Sequence, residues 1–332
     1  MSESPLRKTV LQNIVVYTFA AAIVYYAARS VSWTRVVDAS SHATLWLFLG
    51  ASLGGFLCWF VGDTILYSRL FSYFHGSTGA RELFPTMASV YFLQLINSYV
   101  ASGAYVLFLH ARKRVPWITG ACTLMFQAYV DVMLLAVLSL LAIALVPTSP
   151  IRPGRNYAAG VLGAGCLVAS FWFLWGAQLN RDNWLRWLYE RPSMLSFRMA
   201  RPSHFIKLLS IRFLICLAAG FALYGQLASF HIQIPLAHVL ALTPLIVAIG
   251  NSPFSPGGIG TTQIVFTMGF AQFAGKSDLF ALSLAVSAFN VLVRIPMGLA
   301  MGAPLEEVAE VKREFTTERV RPLSALRTDR GN

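Results

Sequence analysis

The sequence predicts an all-α integral membrane protein, a polytopic bundle of about seven to eight transmembrane helices with a broken or re-entrant helix pair near residues 236–273. Three observations predict this class. Apolar residues make up 56% of the chain and charged residues 12%, against about 45–50% and about 25% in soluble domains. The apolar residues form continuous runs without strand-like alternation. A break rich in glycine and proline divides one run into two half-length segments.

Hydropathy places the full-length spans, each near the about 20 residues that a bilayer requires. They cover residues 10–28, 43–67, 83–109, 117–146, 158–179, 205–230 and 279–301. Arg7 and Lys8 precede the first run, but that run is too long for the apolar core of a cleaved signal peptide. We expect residues 1–302 to form a single transmembrane helical domain and residues 303–332 a short charged cytosolic tail.

The broken pair consists of residues 236–249, interrupted by Pro244, and residues 261–273. The segment between them includes Ser255, Pro256, Gly257, Gly258, Ile259 and Gly260. Broken backbone at membrane depth is tolerated only beside protein or a watery cavity, and such segments point to transporter binding sites. The second half-helix has Thr261 or Thr262 as a candidate N-cap, and its free N–H groups would favour an anion.

Ionisable side chains within the spans are few, and each is a functional candidate because an unpaired charge at the bilayer centre costs at least about 2.5–3.5 kcal/mol. They are Asp63, Asp131, Arg212 and Arg294. Two carboxylates and two guanidiniums could pair one to one as structural ion pairs. Alternatively, Arg294 or Arg212 holds an anionic head group, since the planar arginine fork binds phosphate through two hydrogen bonds.

Charge predicts the orientation. Loops one, three and five, numbered along the chain, carry more lysine and arginine than the other loops, so the positive-inside rule places them in the cytosol. Arg69 and Arg81 of loop two would then lie opposite the basic run at residues 112–114. The net charge of +12 indicates contact with anionic lipid head groups, and no nucleic-acid-binding pattern is present.

Patterns typical of enzymes are absent from the sequence. It has no HExxH motif, Walker loop or Gly-x-Ser-x-Gly motif, and the glycine-rich segment does not follow a predicted strand. The four cysteines lie apart in apolar runs, and the six histidines show no spacing typical of metal ligands. We therefore expect no metal, no cofactor and no catalytic residue.

The run Ser255-Pro256-Gly257-Gly258-Ile259-Gly260 resembles the SPGGLG signature of the lysylphosphatidylglycerol synthase transmembrane region, also called the flippase-like family. It lies at the expected distance before the final span, and the resemblance covers most of the chain. Asp131 resembles the acidic position in the family's fourth span, and Arg294 resembles the arginine in its last span.

The sequence departs from the family pattern in three respects. Gln263 stands where the family often has an acidic residue, and Gln127 with Ala128 stand where it often has a Glu-Arg pair. The soluble aminoacyltransferase domain of the two-domain members is absent from the sequence. Aminoacylation of lipid by this chain alone is therefore not expected.

The resemblance implies re-entrant helices around a lipid-accessible cavity, and movement of polar lipids between leaflets. Our leading hypothesis is a flippase-like translocase of a polar, anionic lipid for envelope lipid biogenesis, in the cytoplasmic (inner) membrane of a prokaryote. The expected substrate-binding residues are Arg294, Arg212, Asp131, Asp63, Ser255, Pro256, Gly257, Gly258, Gly260, Thr261, Thr262 and Gln263.

Two alternatives remain open at this point. The chain could be a non-catalytic membrane partner subunit of a lipid- or glycan-modifying enzyme encoded separately, docking through loop five and the tail. It could also be a membrane-embedded transferase, with Asp63 or Asp131 as the carboxylate candidates. The expected partners are membrane lipids with an anionic or lipid-linked head group, that separately encoded enzyme under the first alternative, and no nucleic acid.

Overall fold

The computed structural model describes residues 41–95, 98–145, 194–250 and 261–301, with Thr34, Gly163, Glu190 and Arg191 besides. The predicted spans 10–28 and 158–179 and the predicted tail lie outside the described residues. Within them, every regular element is helical, as the sequence predicts. The helices are α1 (Leu45–His75), α2 (Ala80–Leu93), α3 (Ser98–Lys113), α4 (Trp117–Leu145), α5 (Leu195–Met199), α6 (Pro202–Ser229), α7 (Leu236–Gly250), α8 (Thr261–Gly269) and α9 (Lys276–Met301).

Helix length divides these elements into two classes. In the described part of the chain, α1, α4, α6 and α9 are long and apolar enough to cross a membrane. At about 1.5 Å per residue, α1 is about 46 Å long and α9 about 39 Å, which exceeds the hydrocarbon core of about 30 Å. The helices α2, α3, α7 and α8 contain 14, 16, 15 and 9 residues and are too short to cross.

α1 and α6 form an antiparallel pair. At one end, the backbone N–H of Thr44 donates to the carbonyl of Ser229 over 2.8 Å. At the other end, the rings of Tyr73 and His204 stack with centroids 4.3 Å apart. Pro202 starts α6, a position where its missing N–H costs no helical hydrogen bond. The start of α1 and the end of α6 therefore share one end of the bundle.

Small residues allow this pair to approach closely. A Cβ atom added at Gly55 would overlap the side chain of Ala222, and one added at Gly62 would overlap Ile215. Contacts of this kind are typical of membrane helices, whose association depends on van der Waals packing rather than on a hydrophobic gain. The α1–α6 contact consequently depends on the absence of side chains at these two glycines.

The predicted single span at residues 83–109 is wrong, because the structure has two helices there, α2 and α3, running in opposite directions. Lys113, at the end of α3, lies 3.2 Å from Glu82 at the start of α2. Farther in, the Tyr105 hydroxyl lies 3.2 Å from the sulfur of Met87. This pair, named hairpin 1, enters the bundle and returns to the end from which it started.

Hairpin 1 begins directly after α1, because Gly76 ends that helix at a φ of +88°, which side chains rarely tolerate. Lys113 also donates to the carbonyl of Ser77 in the connecting turn, over 3.1 Å. The base of hairpin 1 thus lies at the end of α1. Its tip, near Gln94, reaches the bundle interior because the 14 residues of α2 cover about 21 Å.

The predicted break near residues 236–273 is present as two short helices, α7 and α8, which we name hairpin 2. The ring of His238, near the start of α7, lies 5.1 Å from that of Phe273, just after α8. Leu242 packs beside Gly269, which gives the same antiparallel register. The connecting residues 251–260 lie outside the described part of the chain.

Hairpins 1 and 2 enter from opposite ends of the bundle, since one follows the end of α1 and the other follows the end of the antiparallel α6. The order α1, hairpin 1, α4 therefore matches the order α6, hairpin 2, α9 with the direction reversed. Inverted units with discontinuous helices are frequent in secondary transporters.

Two apolar clusters hold this arrangement together. One lies between α1, hairpin 1 and α4 and includes Phe60, Phe71, Tyr91 and Phe126. The other joins hairpin 2 to α9 and includes Phe266, Phe270, Leu279 and Leu282. Each hairpin also packs against a long helix of the other unit, α2 against α9 and α7 against α4.

Hairpin 1 also changes the predicted orientation of the chain in the membrane. Because hairpin 1 does not cross, loops two and three lie at the same end, together with the start of α6. This basic end carries Arg69, Arg81, Arg112, Lys113, Arg114, Arg198, Arg201 and Lys207. Loop one ends at the opposite end, where His231 contacts the carbonyl of His42. Grouping loops one, three and five is therefore wrong, and the positive-inside rule predicts that the basic end faces the cytosol.

Cysteine labelling tests the first hairpin. In a background without the four native cysteines, Arg81→Cys and Arg112→Cys should react with a membrane-impermeant maleimide from the same side, because both flank the base of hairpin 1. Lys276→Cys should react from the other side. Labelling of Arg81→Cys and Arg112→Cys from opposite sides would contradict hairpin 1 and support a single crossing helix at residues 83–109.

Two adjacent glycines test the α1–α6 contact. Gly55→Ala should lower the melting temperature, because overpacking costs about 1–3 kcal/mol. Its matched control is Gly54→Ala, where an added Cβ meets nothing within 4 Å. That change should keep the melting temperature unchanged or raise it, since alanine is favoured over glycine in helices by about 0.5–1 kcal/mol. Equal effects, measured by thermal unfolding in detergent, would contradict the close contact.

Candidate functional site

One guanidinium joins two carboxylates in the middle of the bundle. Arg212 of α6 donates from Nη1 to Oδ1 of Asp63 on α1 over 2.6 Å. The same side chain binds Asp131 of α4 through Nε at 2.8 Å and Nη2 at 3.2 Å. Such two-pronged contacts fix geometry as well as charge. These three residues, which we name the triad (Asp63, Asp131 and Arg212), therefore link three of the long helices.

Local helical spacing supplies further donors to both carboxylates. Trp59 and Gln127 each lie four residues before an aspartate, on the same helix face. Trp59 donates to Oδ2 of Asp63 over 3.0 Å, and Gln127 donates to Oδ1 of Asp131 over 2.9 Å. The hydroxyl of Tyr91, from hairpin 1, donates to Asp63 over 2.8 Å. Both carboxylates are thus held in place by hydrogen bonds from several elements.

One-to-one pairing of the four charges, the structural interpretation of the sequence, is wrong. Arg212 takes both carboxylates, and Arg294 of α9 has no ion-pair partner among the described residues. Its guanidinium lies 5.2 Å from the ring centre of Tyr91, and its Nε is buried without a hydrogen bond. Arg294 is therefore stabilised by an aromatic face while part of its donor capacity remains unused.

The four charged side chains line one cavity of about 380 Å³. Both hairpins contribute to its wall, Tyr91 and Gln94 from hairpin 1 and Thr243 and Phe266 from hairpin 2. Other polar residues on the wall are Ser52, Tyr67, Ser102, Tyr105, Gln226, Ser287 and Asn290. A polar cavity thus lies between the triad and the two hairpins.

The sequence-predicted site residues fall into three groups. Arg294, Arg212, Asp131 and Asp63 come together on the cavity wall. Thr261 and Thr262 form the first turn of α8, and Gln263 is buried and donates to Ser287 over 3.0 Å. The remaining predicted residues lie outside the described part of the chain; they are Ser255, Pro256, Gly257, Gly258 and Gly260.

Sequence reasoning missed Trp59 and Tyr91, which both bond Asp63. The spacing of four residues between Trp59 and Asp63 is a signal that could have found the first. Tyr91 reaches Asp63 from a different helix, 28 residues along the chain, and no local pattern marks that contact.

Metal ligands do not gather within the described ranges, where no group of three or more histidine, cysteine or acidic residues could hold a metal ion. Cys58, Cys122 and Cys216 are free and lie on different helices. The described part of the cavity thus offers hydrogen-bond donors and charge rather than a metal centre.

The two buried arginines should differ in their effect on stability. Arg212→Ala leaves two carboxylates without their cation, and removing one partner of a buried pair costs about 3–5 kcal/mol. Arg294→Ala removes a cation without a carboxylate partner, so the melting temperature should stay level or rise. Thermal unfolding in detergent, followed by tryptophan fluorescence, measures both. Equal destabilisation by the two changes would contradict the observed pairing.

The comparisons with known proteins agree with this architecture. The family profile described as lysylphosphatidylglycerol synthase TM region matches residues 13–298, which includes every described helix residue lining the cavity. No curated protein matches the sequence. A multi-pass helical protein with long apolar helices is what a membrane region of this kind requires. The chain belongs to the lysylphosphatidylglycerol synthase TM region family and is a membrane-embedded protein.

Proposed function

We propose that the protein is a lipid translocase that moves a polar, anionic lipid between leaflets for envelope lipid biogenesis. The observation that carries this proposal is Arg294, a cation without a carboxylate partner among the described residues, on the wall of a cavity at membrane depth. Ionisable groups at this depth are costly, and their usual roles are binding and transport. A head-group phosphate would supply the missing anion.

The geometry around Arg294 suits a phosphate ligand. The ring of Tyr91 covers one face of the guanidinium, and its edge carries the N–H donors that bind phosphate oxygens. The cavity volume of about 380 Å³ is near the lower end of the about 300–1,000 Å³ found for ligand pockets. It therefore suits a head group whose acyl chains stay outside.

In this proposal, the glycine-rich segment completes the site. Ser255, Pro256, Gly257, Gly258 and Gly260 precede α8, and Thr261 starts it. Backbone N–H groups at the start of a helix favour anions, and glycine allows the close approach of a ligand. The second anion contact would thus come from hairpin 2, opposite Arg294 of α9.

The inverted arrangement supports alternating access. The two inverted units contact each other through α2 with α9 and α7 with α4, and a shift at these contacts would open the cavity to one leaflet at a time. The basic end would face the cytosol, and the tail would lie on that side. The setting we propose is the cytoplasmic membrane of a prokaryote, with membrane lipids as the partners.

Arg294→Ala should reduce translocation of labelled phosphatidylglycerol in proteoliposomes by at least tenfold, because a hydrogen bond to a charged group contributes about 1.5–3 kcal/mol. Arg294→Lys should retain part of the activity. Lys207→Ala, which removes a cation outside the cavity, is the matched control and should translocate normally. Undiminished translocation by the folded Arg294→Ala protein would remove Arg294 from the site.

The same assay separates the alternatives. A non-catalytic partner subunit of a lipid- or glycan-modifying enzyme would move no lipid in this assay. It would instead co-purify with that enzyme from native membranes. A transferase that used Asp63 or Asp131 would lose all activity on substitution by asparagine. A translocase should keep exchanging lipid after the Asp131→Asn change, because the amide preserves the shape of the side chain.

A further inference from the structure

We propose that the cavity binds one proton together with each anionic head group, and that Asp131 is the proton acceptor. This inference rests on the proposed translocation. It makes the protein a symporter of a proton and an anionic lipid, driven by a pH difference across the membrane. The charge count, the environments of the two carboxylates and the position of Gln127 support it.

The charges of the described groups on the cavity wall balance when the cavity is empty. Asp63 and Asp131 carry two negative charges, and Arg212 and Arg294 carry two positive ones. A singly charged phosphate bound to Arg294 leaves the triad with one uncompensated negative charge. Such a charge is costly away from water. One proton on a carboxylate restores neutrality, so binding of the lipid favours binding of the proton, and the reverse.

The two carboxylates differ in exposure and in the hydrogen bonds they accept. Asp63 has a side chain only 8% exposed and accepts three hydrogen bonds of 3.0 Å or less, from Arg212, Trp59 and Tyr91. Asp131 is 31% exposed; its Oδ1 accepts from Arg212 over 2.8 Å and from Gln127 over 2.9 Å, and its Oδ2 accepts one contact of 3.2 Å from Arg212. Both oxygens of Asp63 accept hydrogen bonds of 3.0 Å or less, so Oδ2 of Asp131 is the carboxylate oxygen with the most room for a proton. Asp131 is the group that a proton in the cavity can reach.

Gln127 can bond Asp131 in both of its protonation states. Its side-chain nitrogen donates to the carboxylate now, while its oxygen is buried without a hydrogen-bond partner. Rotation of the amide by half a turn would present that oxygen to a protonated Asp131 as an acceptor. The amide therefore makes one hydrogen bond to Asp131 before and after protonation, which keeps both states accessible.

The surroundings of Asp131 contain no second group suited to this role in the described part of the chain. α1 presents Asp63 and Tyr67, α3 presents Tyr105, and α6 presents Arg212 and Cys216. The histidine of α7, His238, packs against Phe273 at the opposite end, and Arg198 of α5 lies at the basic end. Tyr91 and Arg294 complete the set from hairpin 1 and α9.

The chemical step is a proton transfer only. On loading, hydronium at the open side gives a proton to a carboxylate oxygen of Asp131, and an O–H bond forms. On release at the other side, that O–H bond breaks and the proton returns to water with the departing lipid. Nothing is oxidised or reduced, and the loaded site carries one anion and one proton, so the step is electroneutral.

This coupling gives a direction. The lipid should move from the acidic side to the alkaline side. If the basic end faces the cytosol and the exterior is more acidic, transport runs from the outer to the inner leaflet.

The test uses the full-length protein in phosphatidylcholine vesicles that contain a trace of fluorescent phosphatidylglycerol, with the voltage clamped. An imposed difference of one pH unit should drive the probe toward a leaflet ratio of about ten, since one proton moves with each lipid and one unit is a tenfold difference in proton concentration. Equal leaflet populations, with the probe still exchanging, would overturn the coupling and leave translocation intact. A probe that does not exchange at all would overturn the proposed function, and the coupling with it.

In the pH gradient, Asp131→Asn should fail to concentrate the probe, giving a leaflet ratio near one at whatever rate the variant exchanges lipid. The matched control is Asp278→Asn, at the start of α9 and outside the cavity, which should behave as the unmodified protein. A gradient response retained by Asp131→Asn would remove Asp131 as the proton acceptor.

A measurement without any variant keeps the proposal testable if Asp131→Asn does not fold. Short-chain phosphatidylglycerol added to the unmodified protein in weakly buffered detergent should cause uptake of about one proton per lipid bound, read with a pH dye. Short-chain phosphatidylcholine should cause none. Binding of phosphatidylglycerol without proton uptake would overturn the inference.

Discussion

The ion pair network of Arg212 with Asp63 and Asp131 is the contact on which the arrangement of the bundle depends. It brings α1, α4 and α6 together at one depth on the wall of the cavity. Burying three charged groups is costly, and only the full set of hydrogen bonds offsets that cost. The network therefore determines which face each of the three helices presents to the cavity, and its unequal charge count leaves Arg294 without a carboxylate.

The cavity is also a consequence of the two short hairpins. A helix that ends inside the bundle leaves its last carbonyls or first N–H groups without partners, and these need polar surroundings. Gln94 supplies a polar side chain near the tip of hairpin 1, Thr243 supplies one from the middle of α7, and the triad lies on the same cavity wall. The short hairpins therefore require the polar cavity and its charged residues, since an apolar interior could not accommodate the helix ends.

The sequence was informative where the signal is local or compositional. Continuous hydropathy predicted the helical membrane class, and the glycine and proline break predicted two short helices. The four ionisable side chains identified in the spans lie on one cavity wall, and their role in binding stays a prediction. The sequence failed at residues 83–109, because a hairpin of two apolar helices has the same hydropathy as one long span, and no glycine-rich break marks the turn. It also failed at the pairing of Arg212 and the role of Tyr91. Both depend on contacts between helices distant in the chain, which periodicity within one helix cannot encode.

The close contact of Gly55 with Ala222 has a consequence for handling the protein outside its membrane. That contact consists of dispersion forces between methyl and backbone atoms, which are insensitive to the dielectric constant of the surroundings. The triad is of the opposite kind, because water that enters the cavity weakens the attraction between its charges. In solubilised protein, the helices and the α1–α6 contact can therefore persist after water has entered the cavity around the triad. Helicity measured in detergent would report on the helices and the α1–α6 contact. Only a probe near Trp59 would report on the triad.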